Sequence, residues 1–452
     1  MSTDTPSALT AFTWERQPTA SELVGQLLGR FVAASDDLAQ FGKRLSGETG
    51  NRLLDFVDAL FVPANWFGNL TDRLAETGFV ESGCNSQWTH PEGIFPTIVV
   101  SDALGRVLLK VEDVEAFANK YPAANCKPLG KPRSAFRTLE FSSKNGISLV
   151  AVERHGWRGF ELSQESNAEL AAVEKHLAAL CSRPRPLVDP NRGFDATREL
   201  IRAAIKDLGV DRTCDLFFSS ERIYWMSRNR AARVQYERQE KLGLGWANHD
   251  HHTYRSSRAS FPRLIEMLEL LGFHCRERFY AGIEAGWGAQ VMEQSRAGFV
   301  VFADVDMSPE EITGDFAHLG LPPRTELGTV GLWCQLHGEA FLAAGMHHLE
   351  CQFDFDAACT QLAASGVESM APFTNFPHLR QAFTKGEIWP VAGTQIDAAL
   401  AAGQITSTQA DQFRREGALG SHLEILERND GYKGFNQTGV SDIIARTDPR
   451  KW

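Results

Sequence analysis

Apolar positions recur at helical spacing in Leu23-Val-Gly-Gln-Leu-Leu28 and Leu53-Leu-Asp-Phe-Val-Asp-Ala-Leu60, which predicts helices within residues 19–82. From about 94 to 162 the texture changes to short β-rich runs, Ile94–Val100, Val107–Val111 and Ile147–Val152, with one short helix, Val114–Tyr121, between them. A second helical zone covers about 165–240. It is interrupted by Arg183-Pro-Arg-Pro-Leu-Val-Asp-Pro190, the best linker candidate because prolines break helices and stiffen connections. After 245 the β texture returns twice. The first run is a strand His249–Arg255, a helix Phe261–Leu271 and strands around Arg276–Tyr280, Gly288–Glu293 and Gly298–Val305. The second is a strand His348–Phe355, a helix Asp356–Ser365 and a strand Ser421–Arg428. Strand, helix and further strands, repeated, is the pattern of βαβββ modules. The chain thus divides into a helical region 1–90, a β-rich region 91–165, a helical connector 166–244 and a second β-rich domain 245–452.

Leu149-Val-Ala-Val-Glu-Arg-His-Gly-Trp-Arg-Gly-Phe160 echoes Leu423-Glu-Ile-Leu-Glu-Arg-Asn-Asp-Gly-Tyr-Lys-Gly-Phe435, with one inserted residue. In this alignment Val150 stands where Glu424 does. The two halves read as diverged duplicates, the C-terminal one carrying the chemistry. His155, which falls after its strand, reads as a turn residue.

At 452 residues, two or three domains are the natural expectation. With 43% hydrophobic and 23% charged residues, a core of ordinary size is available. A net charge of -11 argues against a general nucleic-acid binder. The arginine-rich stretch Arg222–Lys241 therefore reads as a solvated helix face. The eight cysteines form no Cys-x-x-Cys pair, which removes the zinc-ribbon and dithiol readings. No secretory start and no apolar run near the roughly 20 residues that cross a bilayer are present, so a cytoplasmic protein is expected.

Three strand-like segments carry the candidate chemistry: Asp250-His251-His252-Thr-Tyr-Arg255, Met346-His347-His348-Leu-Glu-Cys-Gln352 and Ser421-His-Leu-Glu-Ile-Leu-Glu-Arg428. Two histidines and one carboxylate from separate strands are what a mononuclear iron(II) site needs, because they hold the metal on one face and leave the other open. Side chains along a strand alternate, so His251, Thr253 and Arg255 share a face, while His252 and Tyr254 share the other. The same alternation groups His348, Glu350 and Gln352, and it groups His422, Glu424, Leu426 and Arg428. Beyond alternation, the choices between His251 and His252 and between His347 and His348 stay open.

These segments resemble the vicinal oxygen chelate superfamily and, within it, the 2-oxoadipate dioxygenase/decarboxylase (hydroxyglutarate synthase) family. His251 and Arg255 match its His-x-x-x-Arg strand, and His348-Leu-Glu matches its second ligand strand. His422-Leu-Glu-Ile-Leu-Glu-Arg428, with the turn Asp430–Phe435, matches its third. Phe299–Pro309 and Trp389-Pro-Val-Ala-Gly393 are softer matches, with Ala392 in place of the family's serine. The resemblance covers residues 245–440. The two-half layout is similar to that of 4-hydroxyphenylpyruvate dioxygenase.

The resemblance implies an α+β fold of paired βαβββ modules forming a half-open β-barrel, with added helical segments. It implies an Fe(2+) cofactor held by His251, His348 and Glu424, and oxidative decarboxylation with intramolecular hydroxylation of a 2-oxo acid by O2. Arg255 would bind a substrate carboxylate. Gln352 and Gln290 are candidates for orienting the reactants, and Val391, Ala392 and Gln294 for binding substrate. A homodimer is expected, and no nucleic-acid or membrane partner. The alternatives are an aromatic 2-oxo acid as substrate, a non-oxygenase metal-dependent lyase, isomerase or thiol transferase, and a ligand-binding protein of the same fold.

Overall fold

Ser35 separates the first two helices, α1 (Pro18–Ala34) and α2 (Asp36–Thr49): its extended backbone ends one, and its hydroxyl accepts from the Leu38 N–H to start the other. The computed structural model describes residues 13–82, 86–102, 104–121, 127–436 and 445–451. After α3 (Leu53–Phe56) the chain enters a first sheet at β1 (Val57–Pro63). Strands therefore begin well before position 91, where the sequence texture changes, because an apolar run as short as Val57–Val62 suits helix and strand alike.

With β1, α4 (Leu70–Glu76), β2 (Val80–Ser82), β3 (Gln87–Thr89) and β4 (Thr97–Ser101) make one βαβββ unit. A second unit, one strand shorter, comprises β5 (Gly105–Lys110), α5 (Val114–Lys120), β6 (Phe136–Lys144) and β7 (Ile147–Arg154). Each unit pairs its first and last strands in parallel, and antiparallel pairing of β1 with β5 joins the two. The strand order is β2-β3-β4-β1-β5-β7-β6.

Four helices follow: α6 (Asn167–Cys181), α7 (Pro190–Leu208), α8 (Val210–Met226) and α9 (Arg230–Glu240). The proline-rich stretch before α7 is tied down rather than a free linker. Arg183 is buried, with Nη2 donating to Glu221 on α8 at 2.9 Å and to the Phe341 carbonyl at 2.6 Å. The arginine-rich stretch is not a solvated face either. Arg222 and Arg238 are buried, and Arg228 donates to the Ala343 and Ala344 carbonyls at 2.6 Å each while its guanidinium lies over Trp389. Arginine's long apolar stem suits either environment, so its count does not tell the two apart. His155 follows β7 and bridges Glu153 and Asp215, fastening the first sheet to α8.

The second sheet repeats the plan. Its first unit is β8 (His249–Arg255), α10 (Phe261–Leu270), β9 (His274–Tyr280), β10 (Trp287–Gln294) and β11 (Phe299–Asp306). After α11 (Phe316–Leu319) and α12 (Thr329–His337) comes the second: β12 (His348–Gln352), α13 (Phe355–Ala364), β13 (Thr374–Phe376) and β14 (Leu379–Phe383). An insertion holds β15 (Ile388–Trp389), α14 (Gly393–Ala401), α15 (Ser407–Glu416) and β16 (Ala418–Leu419), and the unit then closes with β17 (His422–Arg428). The order is β13-β14-β17-β12-β8-β11-β10-β9, with β8 parallel to β11, β12 parallel to β17, and β8 antiparallel to β12. These are paired modules of the vicinal oxygen chelate type, and the eight-stranded sheet curls around a cavity on one face.

Shared strand order gives positions in one sheet counterparts in the other. The echoed sequences fall on the equivalent strands β7 and β17. His251, Glu350 and Glu424 stand in register across the second sheet; the same row of the first sheet is Ala59, Leu108 and Val150. Those three belong to a small apolar cluster with Phe136 and Val152. The N-terminal copy offers no donor atom there.

Candidate metal centre

Strand register builds the site. Antiparallel β8–β12 pairing sets Glu350 opposite His251, and parallel β12–β17 pairing sets Glu424 beside Glu350. The next row is Thr253, His348 and His422. One donor atom each from His251, Glu350 and Glu424 lies within 4.8 Å of the others, and all three residues are buried. Glu350 Oε1 is 2.7 Å from His251 Nε2 and 2.7 Å from His348 Nε2, and His348 Nε2 is 3.6 Å from Glu424 Oε2. Of the three ligands read from the sequence, His251 and Glu424 are in the row itself. His348 is one row on, facing Glu350. Alternation turns His252 to the other face, where it packs on Phe218 and Phe299.

A set of neighbours fixes these donors. His251 Nδ1 is 2.7 Å from Asp250 Oδ1, which leaves Nε2 with its lone pair toward the cluster. Asp250 is held in turn by Gln352 Nε2 at 2.8 Å and by Arg428 at 3.2 and 3.3 Å. Burial alone would push the Asp250 carboxyl up, but Arg428 and His251 together hold it below its ordinary range. Gln352 Oε1 accepts from Arg52 Nη2 at 3.4 Å, and Arg52 also donates to the Arg428 carbonyl at 2.9 Å. The N-terminal half thus braces the histidine through two intermediates. Gln381 Nε2 donates to Glu424 at 2.8 Å, and Thr253 Oγ1 is 3.3 Å from Glu350. Asp250→Asn removes the carboxylate that orients His251, and about 10- to 100-fold weaker metal binding is expected in an equilibrium titration. An unchanged constant would deny Asp250 that role.

The charges fit a divalent cation. Burial pushes Glu350 well above the ordinary carboxylate range, with the nearby Glu424 adding to the rise, and pushes Glu424 up to about 7. Burial likewise lowers His251 to about 4 and His348 well below its usual value. Near neutral pH the cluster is therefore two neutral imidazoles and two carboxylates sharing a proton. Each imidazole offers a lone pair, and two ionised carboxylates would balance a 2+ ion in surroundings where like charges otherwise repel. Glu350 Oε2 is buried with no partner, which leaves it free as a donor. The donor set of imidazole and carboxylate suits iron(II), manganese(II) or zinc(II) rather than a thiophilic ion.

The cluster opens on a cavity of about 50 Å³. Phe279, Trp287, Phe302, Phe373, Phe383 and Phe435 make its apolar wall; Arg255, Asp304, His347 and Thr447 make its polar end. Phe435 arrives there through a tight turn after β17. Asp430 and Gly431 have φ of 55° and 59°, and a Cβ on Gly431 would collide with the Phe95 ring, so glycine is required. The turn lays Phe435 against His251 and Phe302, with ring centroids 5.0 and 4.5 Å apart.

Arg255 is buried and reaches this cavity. The structure does not bring the remaining candidates to it. Gln290 donates to the Glu277 and Val291 carbonyls on the far face of β10, and Gln294 accepts from the Arg296 and Ala297 N–H groups while bonding Asp211. Both have the wrong parity, since Ala289 and Val291 stand opposite the inward Asp304 and Phe302. Gln352 touches Asp250 but not the cavity. Val391 packs against the cluster of Leu332, Leu336 and Ile396, and Ala392 is exposed where α14 begins. Sequence reasoning passed over Glu350 as a donor, and Asp250, Gln381 and Asp304 as neighbours. Glu350's shared face with His348 was a signal for it; Gln381 offered none.

No family model and no curated protein match the chain. Among solved structures it is similar to a mutant of 4-hydroxymandelate synthase from Streptomyces coelicolor, at 12% identity over 88% of this chain and 98% of that one, with a TM-score of 0.28. It is similar to methylmalonyl-CoA epimerase from Mycobacterium tuberculosis, at 13% identity over 40% of this chain and 88% of that one, with a TM-score of 0.23. An uncharacterized protein from Shigella flexneri that includes domain DUF1338 is similar at 12% identity over 58% of this chain and 74% of that one, with a TM-score of 0.25. Scores this low carry no weight for activity, and the fold assignment rests on strand order and register.

Proposed function

We propose that the chain is a non-haem iron(II) dioxygenase of a 2-oxo acid, coupling oxidative decarboxylation to hydroxylation of the same substrate. The reading is carried by the buried convergence of His251, His348, Glu350 and Glu424 on one side of a cavity whose other end holds Arg255. Iron(II), when bound, supplies a Lewis-acidic centre with open positions for a chelating 2-oxo acid and for oxygen. His251, His348 and Glu424 would hold it, and Glu350, level with His251, would add a second carboxylate.

The chain's own residues do the rest. Arg255, with Nε and Nη1 unpartnered, presents charged donors to the substrate's far end. The aromatic wall excludes water and positions the substrate chain against the donors. That wall favours an aromatic 2-oxo acid as much as an aliphatic diacid, and both belong in the test. Oxygen consumption by anaerobically iron-loaded protein is measured across a 2-oxo acid panel that includes 2-oxoadipate and 4-hydroxyphenylpyruvate. Uptake with matching release of carbon dioxide is expected for at least one member, and it is expected to vanish in Glu424→Ala.

Glu350 favours a second reading. A set with two carboxylates leaves fewer positions for oxygen, and a carboxylate beside the bound substrate can move a proton, as a metal-dependent lyase or isomerase requires. Solvent hydrogen exchange into a bound carbonyl substrate, without oxygen uptake, would replace the dioxygenase reading with this one.

A further inference from the structure

Five polar atoms lining the cavity are buried without a partner: Arg255 Nε and Nη1, His347 Nε2, Trp287 Nε1 and Asp304 Oδ1. Orphans of this kind are rare in folded proteins, and four residues turning them on one space point to a ligand that meets them. Arg255 and Asp304 stand at paired positions on the parallel strands β8 and β11. Neighbours so placed would ordinarily close on each other. Here Arg255 Nη2 donates to Thr447 Oγ1 at 3.1 Å, while its Nε and Nη1 and Asp304 Oδ1 stay open.

The two residues ask for different things: Arg255 only donates, and an ionised Asp304 only accepts. A hydrocarbon end would leave both unmet. A carboxylate end would satisfy Arg255 but set its charge against Asp304, in a cavity that already holds Glu350 and Glu424. A hydroxyl meets both, its oxygen accepting from Arg255 and its hydrogen going to Asp304. Resting on the 2-oxo acid reading above, we infer that Asp304 is the specificity-determining residue of this cavity. With Arg255 it selects a 2-oxo acid whose far end is a hydroxyl, over one ending in a carboxylate or a hydrocarbon.

Two matched ligand series test this by calorimetric titration of anaerobic, iron-loaded protein. One is 6-hydroxy-2-oxohexanoate, 2-oxohexanoate and 2-oxoadipate; the other is 4-hydroxyphenylpyruvate, phenylpyruvate and 4-carboxyphenylpyruvate. In whichever series binds, the hydroxyl member is expected to bind at least about tenfold more tightly than the other two, because a site built around a hydrogen bond rejects analogues that lack it. Asp304→Asn, whose amide N–H can face an anion, is expected to move the preference to the carboxylate member. Tightest binding of the carboxylate or hydrocarbon member by the unaltered protein overturns the inference and leaves the 2-oxo acid reading standing. Binding of no member removes both. The ranking by the unaltered protein decides the matter alone if the variant does not fold.

Discussion

Replacing Glu424 with glutamine is expected to abolish tight metal binding and, at the same time, to stabilise the metal-free protein above pH 7. The two effects have one cause. Glu424 is buried 2% exposed beside Glu350, and burial raises its carboxyl from 4.5 to about 7. That rise corresponds to about 3 kcal/mol of unfavourable ionisation, at about 1.36 kcal/mol per pKa unit. Glutamine has nearly the same shape, keeps an oxygen for the Gln381 amide that now donates to Glu424 at 2.8 Å, and carries no charge. The metal-free variant should therefore unfold at a higher temperature than the parent above neutrality. Added metal should raise the melting temperature of the parent and leave that of the variant unmoved. A variant that merely loses structure would be less stable with or without metal.

Acidification is expected to strip the metal, and the sign follows from the same carboxylates. Glu350 and Glu424 both have folded-state values above their ordinary range. Such groups contribute stability that is present below the unfolded pKa and lost as pH rises through the folded one. In the metal-free protein this pair thus becomes destabilising from about pH 4.5 to 7, while a bound cation compensates the charge over the same window. The gap in melting temperature between metal-loaded and metal-free protein should accordingly widen from about pH 5 to 8. Metal affinity should fall roughly tenfold per pH unit below about 7 for each proton displaced. A gap independent of pH would mean that the carboxylates do not take the metal. The histidines do not reverse the trend, since burial lowers His251 to about 4 and both rings are neutral across this range.

Periodicity was enough to read the paired modules of the second sheet, because its strands and helices are long and their turns well marked. It failed for β1, where six apolar residues suit either structure, and that hid the first sheet's leading module. Alternation separates His251 from His252, since one strand residue changes the face. Register was not readable. The pairing that sets Glu350 opposite His251 depends on how β8 and β12 meet across nearly a hundred residues, and a shift of one position would turn Glu350 away. The glutamines of β10 show the same limit: their chemistry suits substrate orientation, but the strand's phase turns them outward. Arg52 lies 300 residues from Gln352 in sequence, and nothing local to it marks a role beside the histidine.

The most direct measurement is the equilibrium metal content of the purified chain after anaerobic loading with iron(II), beside that of Glu424→Gln. One ion per chain in the parent and none in the variant is the expected result, because only the second sheet presents donors at the shared row. An ion-free parent, or a variant that retains its ion, would contradict a metal centre on β8, β12 and β17.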